Sequence, residues 1–202
     1  MKNKRTVTIH QPEHFPYMGF FQKMSKSDLF VVLDNVKYRK NYFQNRNRLR
    51  TLAGKDEWFT VAVEKKATSK RIKDVTVSAD TLWRKKIIKK IKQNLSFDAS
   101  EFYCGSSLMD INMRGIKWAK EELGIKTEIV FASELGVDGE KSELLANICK
   151  VTDADTYLSG PSGKNYLDMK YFQGIQVDFF TPKVDNNYSC LYNILKKLDT
   201  NL

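Results

Sequence analysis

In the stretch TVTIHQPEHFPYMGFFQKMSKSDLFVVLDN an alternating run, Thr6 to Ile9, leads straight into a histidine, a glutamine and a proline. An imidazole moves protons near neutral pH and a primary amide reads carbonyls or hydroxyls, so His10 is a candidate base and Gln11 a candidate substrate reader. Asp34 closes the next apolar run, where a carboxylate can orient the imidazole, hold an amine or ribose, or simply cap the following turn. His14 is the weaker histidine, being less constrained by this pattern. A second cluster is YLSGPSGKNYLD, Tyr157 to Asp168. Backbone amides at Gly160 and Gly163, with Ser159, Ser162 and Lys164, can cradle an anion, although the GxxxxGK[ST] spacing of a P-loop is absent and a plain tight turn needs the same glycines. A third, KYRKNYFQNRNRLRT, joins the amides of Gln44, Asn45 and Asn47 and the Arg46 guanidinium to the rings of Tyr38, Tyr42 and Phe43. Such groups recognise sugars or phosphates, and basic residues interleaved with aromatics also describe an RNA surface.

These residues need a scaffold, and the periodicities predict one. Thr6 to His10 reads as a strand, Pro16 to Ser25 as a helix with proline tolerated in its first turn, and Leu29 to Asp34 as a strand buried on both faces. The helix at Pro16 aims unpaired amides toward the strand-end face, and Gly19 allows close backbone approach. A β-hairpin is predicted around Ala53, Gly54 and Lys55, with arms at Tyr42 to Thr51 and Glu57 to Val63, then a short strand at Lys73 to Val77. Helices follow at Thr81 to Leu95 and from Ser106 or Ser107 to Leu123, with Gly124 as the stop. The second half alternates strand Glu128 to Ala132, helix Lys141 to Val151, strands Thr156 to Ser159 and Gln176 to Phe180, and helix Ser189 to Leu198. The expectation is one α/β domain over 1–202: a mostly parallel, Rossmann-like sheet with flanking helices and an antiparallel β-hairpin inserted at about 37–78.

Composition bounds the function. The chain has 202 residues, 42% of them hydrophobic, enough for a sizeable core. No window has the roughly 18 apolar residues of a membrane span, so a cytoplasmic protein is expected. Three dispersed cysteines, Cys104, Cys149 and Cys190, suggest neither a disulfide framework nor a thiolate metal site, and two histidines argue against a histidine-rich one. There is no HExxH, GxSxG or GxGxxG. The formal charge of +10 favours an acidic partner: phosphate groups, a nucleotide-sugar, transfer RNA, an acidic carrier protein or anionic lipid. The oligomeric state is not legible.

IHQPEHFPYMGFFQKMSKSDLFVVLDNVKY, FQNRNRLRT, WFTVAV and TYLSGPSGKNYLD together resemble the WbqC-like family of bacterial proteins, in order and over nearly the whole chain. One departure is Ala62, where the family is expected to carry proline. The resemblance implies a role in O-antigen or other surface-polysaccharide synthesis, with some relatives described as glycine transferases acting on amino-sugars. It points to His10, Gln11, Pro12, Pro16, Gly19, Asp34, Gln44, Asn45, Arg46, Ser159, Gly160, Gly163 and Tyr166; the expected roles are His10 as base and Asp34 as the group that orients the ring or the amine, with the polar and glycine positions, joined by Tyr17 and Lys164, toward substrate. No tightly bound cofactor or metal is expected. The acyl donor would be an acyl carrier protein thioester or an aminoacyl-tRNA, and the acceptor a nucleotide-sugar. Two alternatives stand beside it: an enzyme like the Rossmann-type nucleotidyltransferases, although their HxGH is absent, and a noncatalytic RNA- or polysaccharide-binding module.

Overall fold

The computed structural model describes residues 4–198 and 202. They form two compact units, one comprising the chain up to Gln11, Gly19–Asp34 and Ile125–Lys183, the other Pro12–Met18, Asn35–Gly124 and the stretch from Val184 onward.

The first unit is built on five strands: β1 (Thr6–His10), β2 (Leu29–Val32), β5 (Glu128–Phe131), β6 (Thr156–Ser159) and β7 (Gln176–Phe179). Every neighbouring pair is parallel, in the order β5-β2-β1-β6-β7. β2 is Leu-Phe-Val-Val and buried throughout, which is why its sequence shows no alternation. Succession runs outward from β1 through β2 to β5, then returns to the other side of β1 for β6 and β7. That reversal makes the gap between the carboxyl ends of β1 and β6 a topological switch point, where open α/β sheets bind ligands. Helix α1 (Met18–Ser25) is buried around almost its whole circumference, so it lacks the solvated face of an ordinary amphipathic helix. Phe20 packs on Phe21 and Phe30 with ring centroids 5.1 and 5.0 Å apart. Helix α4 (Lys141–Val151) completes this unit's longer elements.

In the second unit β3 (Arg46–Arg50) and β4 (Asp56–Thr60) form their own two-stranded antiparallel sheet. Gly54, at φ +76°, makes the turn where the sequence predicted it. The expected strand at Lys73 to Val77 is instead a turn of 3-10 helix and two isolated bridges, Val63 to Val77 and Thr76 to Ser107, because Ile72 and Val75 both bury their side chains. Helix α2 (Leu82–Leu95) buries Trp83, Ile87, Ile91 and Leu95, one stripe at four-residue spacing. The Ser107 hydroxyl caps α3 (Leu108–Glu122) by accepting from the Asp110 amide at 3.1 Å, and Gly124 at φ +65° follows its end. Gly115 on α3 packs close to the Phe15 ring, which a Cβ there would approach to 3.1 Å, so the ring would have to give by a few tenths of an ångström. Helix α5 (Cys190–Leu195) closes this unit's helices.

Candidate active site

β1 and β6 pair through Thr6 with Thr156 and Val7 with Tyr157, and the Thr8 hydroxyl donates to the Leu158 carbonyl at 2.7 Å, so the two strands run side by side toward their carboxyl ends at His10 and Ser159. The two sequence clusters that open at His10 and at Ser159 are therefore neighbours at the switch point of the first unit. Gly160 has an extended backbone, φ −72°, and a Cβ added to it would have no atom within 4 Å. Neither dihedral nor packing requires glycine there. A bare backbone facing open space just past the end of the strand next to β1 suits close approach by a ligand.

His10 is partly buried. Its Nδ1 lies 2.9 Å from the Gln11 carbonyl oxygen, which can only accept, so Nδ1 carries the proton and Nε2 presents the lone pair. The ring packs edge-on against Phe20 at 4.9 Å between centroids. Burial, then the Lys23 ammonium, push its pKa down to about 3, with the Gln11 carbonyl opposing. At neutral pH His10 is an uncharged acceptor of fixed tautomer. Its carbonyl in turn accepts from the Leu33 amide at 2.8 Å, tying the end of β1 to the end of β2.

Lys23 was not singled out in the sequence. Only 5% of its surface is exposed, and Nζ donates to the Ile9 carbonyl at 3.4 Å. A signal was present: in MGFFQKMS a lysine sits in a short helix with too few polar residues to have a solvent side. Asp34 is also buried, with Oδ1 accepting from the Ser133 amide at 2.9 Å and Oδ2 from its hydroxyl at 2.6 Å. The Gln11 carbonyl, not Asp34, is thus the group hydrogen-bonded to the ring, and Asp34 braces β2 against the segment after β5. No local pattern pointed to Ser133, which lies 99 residues from its partner.

The turn after β6 is less open than its glycines suggest. The Gly163 amide, expected to face an anion, donates to the Gly160 carbonyl at 3.0 Å. Gly163 is needed for another reason: a Cβ there would stand 2.2 Å from the Ser159 hydroxyl oxygen and 3.1 Å from the Phe179 ring. Ser159 is buried, its oxygen lacking a hydrogen bond of good geometry although the Tyr157 phenol leans toward it. Lys164 and Tyr166 are exposed, the lysine 5.5 Å from the centre of the Phe179 ring. Gly19 lies buried in the first turn of α1.

Other predicted site residues belong to the second unit. Gln44 and Asn45, expected among the substrate readers, are buried with their amides engaged by backbone: Gln44 Oε1 accepts from the Arg39 amide at 2.7 Å and Asn45 Nδ2 donates to the Val61 carbonyl at 2.9 Å. Arg46 stacks over Trp58, 4.5 Å from its centroid. Burial, then Glu13, raise the Tyr17 phenol. His14 is a core residue there, wholly buried against Phe15 and Phe59, with Nε2 3.2 Å from the Tyr103 hydroxyl. The thiols of Cys149 and Cys190 are buried and pushed upward, Cys149 to about 12, so neither supplies a thiolate at neutral pH. Among the described residues no three His, Cys, Asp or Glu side chains cluster as metal ligands, and no helix is long and apolar enough to cross a membrane.

Residues 11–195 match the family model of the WbqC-like protein family. The chain is also 28% identical over 187 residues to a Mycobacterium tuberculosis protein, uncharacterized protein Rv1507c, covering 86% of this chain and 80% of that one. No solved structure matches.

Proposed function

The chain belongs to the WbqC-like protein family, and we propose on that premise that it transfers an activated aminoacyl group, glycyl in its most specific form, onto the amine of a nucleotide-linked amino-sugar for surface polysaccharide. The observation that carries the reading is His10: a neutral imidazole of fixed tautomer at a switch point, beside a buried ammonium, with an unobstructed backbone just past the end of the neighbouring strand.

In the step, the sugar amine attacks the donor carbonyl and forms the carbon–nitrogen bond while its proton passes to His10 Nε2. Collapse breaks the bond to the carrier, a thiol or a transfer-RNA hydroxyl, and the imidazolium returns the proton to that leaving group. The Lys23 ammonium stabilises the oxyanion or a substrate phosphate from within a poorly solvated site. An imidazole near pKa 3 is a weak base. A bound diphosphate would cancel part of the Lys23 field and raise His10 toward the range where general-base catalysis is efficient. Asp34, through Ser133, holds the strand end to which His10 is tied.

The test is to incubate the purified protein with glycyl carrier-protein thioester or glycyl-tRNA and an amino-sugar nucleotide, following amide product by mass spectrometry. His10→Ala should lower the rate about 100-fold or more; an unchanged yield removes His10 from the chemistry. A second reading, nucleotidyl transfer to a sugar phosphate, is favoured by the strand order, which runs outward from β1 on both sides as in doubly wound nucleotide folds. Release of diphosphate from a nucleoside triphosphate and a sugar phosphate, without amide formation, would select it.

A further inference from the structure

We propose that the second unit carries a binding surface for single-stranded nucleic acid, centred on Tyr42, Phe43 and Trp58. The inference is independent of the reaction at the strand ends. These rings are 39, 36 and 40% exposed and contiguous: Tyr42 and Phe43 have centroids 5.6 Å apart, Phe43 and Trp58 6.1 Å. Guanidinium groups flank them, Arg39 lying 4.5 Å over Tyr42 and Arg46 4.5 Å over Trp58. The surface is firmly held from α2, where Lys90 Nζ donates to the Trp58 carbonyl at 2.7 Å.

What remains exposed decides the ligand class. The amides that would read neutral sugar hydroxyls are turned inward, with Asn47, like Gln44 and Asn45, buried and donating to the Phe15 carbonyl at 2.7 Å. The carboxylates of β4 are already matched, Asp56 by Arg48 at 3.2 Å and Glu57 by Lys90 at 3.2 Å. Arg39, over Tyr42, and its near neighbours in sequence Lys37 and Lys40 are exposed and enter no ion pair among the described residues. Uncompensated cations suit phosphates and exposed rings suit the faces of unpaired bases, which a duplex hides in its stack. The net charge of +10 attracts the same polyanion.

The test measures fluorescence anisotropy of labelled oligo(U), oligo(dT) and a matched duplex, each about twelve nucleotides long, with the full chain in roughly 50 to 200 mM salt. Both single strands should bind more tightly than the duplex, weaken steeply with salt, and quench tryptophan emission. Phe43→Ala with Trp58→Ala should weaken single-strand binding about ten-fold or more, while Arg39→Glu, at a fully surface position, should weaken it and flatten the salt dependence. Preference for oligo(U) would assign RNA and parity either strand, both within the proposal. Equal affinity for the duplex, indifference to the ring substitutions and to Arg39→Glu, or binding of an acidic polysaccharide in preference to either strand would overturn it.

Discussion

Acidification should destabilise the second unit through His14. The Tyr103 hydroxyl and the Phe15 and Phe59 rings enclose the imidazole. Burial lowers its pKa from 6.5 to about 3, with the Asn112 side chain opposing. Because the folded value lies below the unfolded one, between them the unfolded chain binds a proton that the folded chain refuses. The stabilisation is complete above pH 6.5, is lost as pH falls, and levels off near pH 3. Well inside that window each unit of pH costs about 1.4 kcal/mol, so moving from about pH 6.5 to about pH 4.5 removes roughly 2 kcal/mol through this residue. Such a loss is a large part of the few kcal/mol that hold a small unit folded. His10, the other histidine, is lowered to about 3 as well but lies in the first unit, and carboxylates such as Glu64, held near 2 by Lys70 and the Thr76 amide, act lower down. All three tryptophans, Trp58, Trp83 and Trp118, lie in the unit that holds His14, so their fluorescence reports it directly. Urea melts across the window should show stability falling with pH, and His14→Phe, whatever its absolute stability, should reduce the slope by about 1.4 kcal/mol per unit. A slope identical in the variant, or a wild-type stability flat down to pH 4.5, would refute the assignment.

Gly163→Ala should destabilise the first unit by about 1–3 kcal/mol, since its Cβ would meet the Ser159 oxygen at 2.2 Å. Adding Ser159→Ala removes that oxygen and should recover part of the loss; thermal melts of the single and double variants decide it. Asn112→Ala should cost about 2–4 kcal/mol in chemical denaturation, because Nδ2 donates to the Gln44 carbonyl at 2.7 Å and the Pro12 carbonyl at 3.3 Å, two buried acceptors that would be orphaned. A cost below about 0.5 kcal/mol would mean that water or a neighbour satisfies them.

Much of this protein follows from local rules that the sequence carries by itself. Strand and helix periods, the Gly54 turn, the Ser107 cap, the Gly124 stop and the α/β alternation each depend on residues within a few positions of one another. So did the nomination of His10 and of the turn after Ser159, because a polar residue following an apolar strand marks a strand end wherever that strand lies. The tertiary structure decided which of these residues meet and which merely pack. Parallel pairing of β1 with β6 bridges about 150 residues, and it brings the strand end at His10 next to the strand that opens into the turn after Ser159. Long-range contacts likewise turned Asn45 and His14 inward, tied the Gln44 backbone to Asn112, engaged Asp34 with Ser133, and buried Lys23 beside the imidazole. A side chain's type says what it can do. Whether it faces ligand, backbone or core depends on desolvation and on partners far along the chain, and those exist only once the sheet has formed.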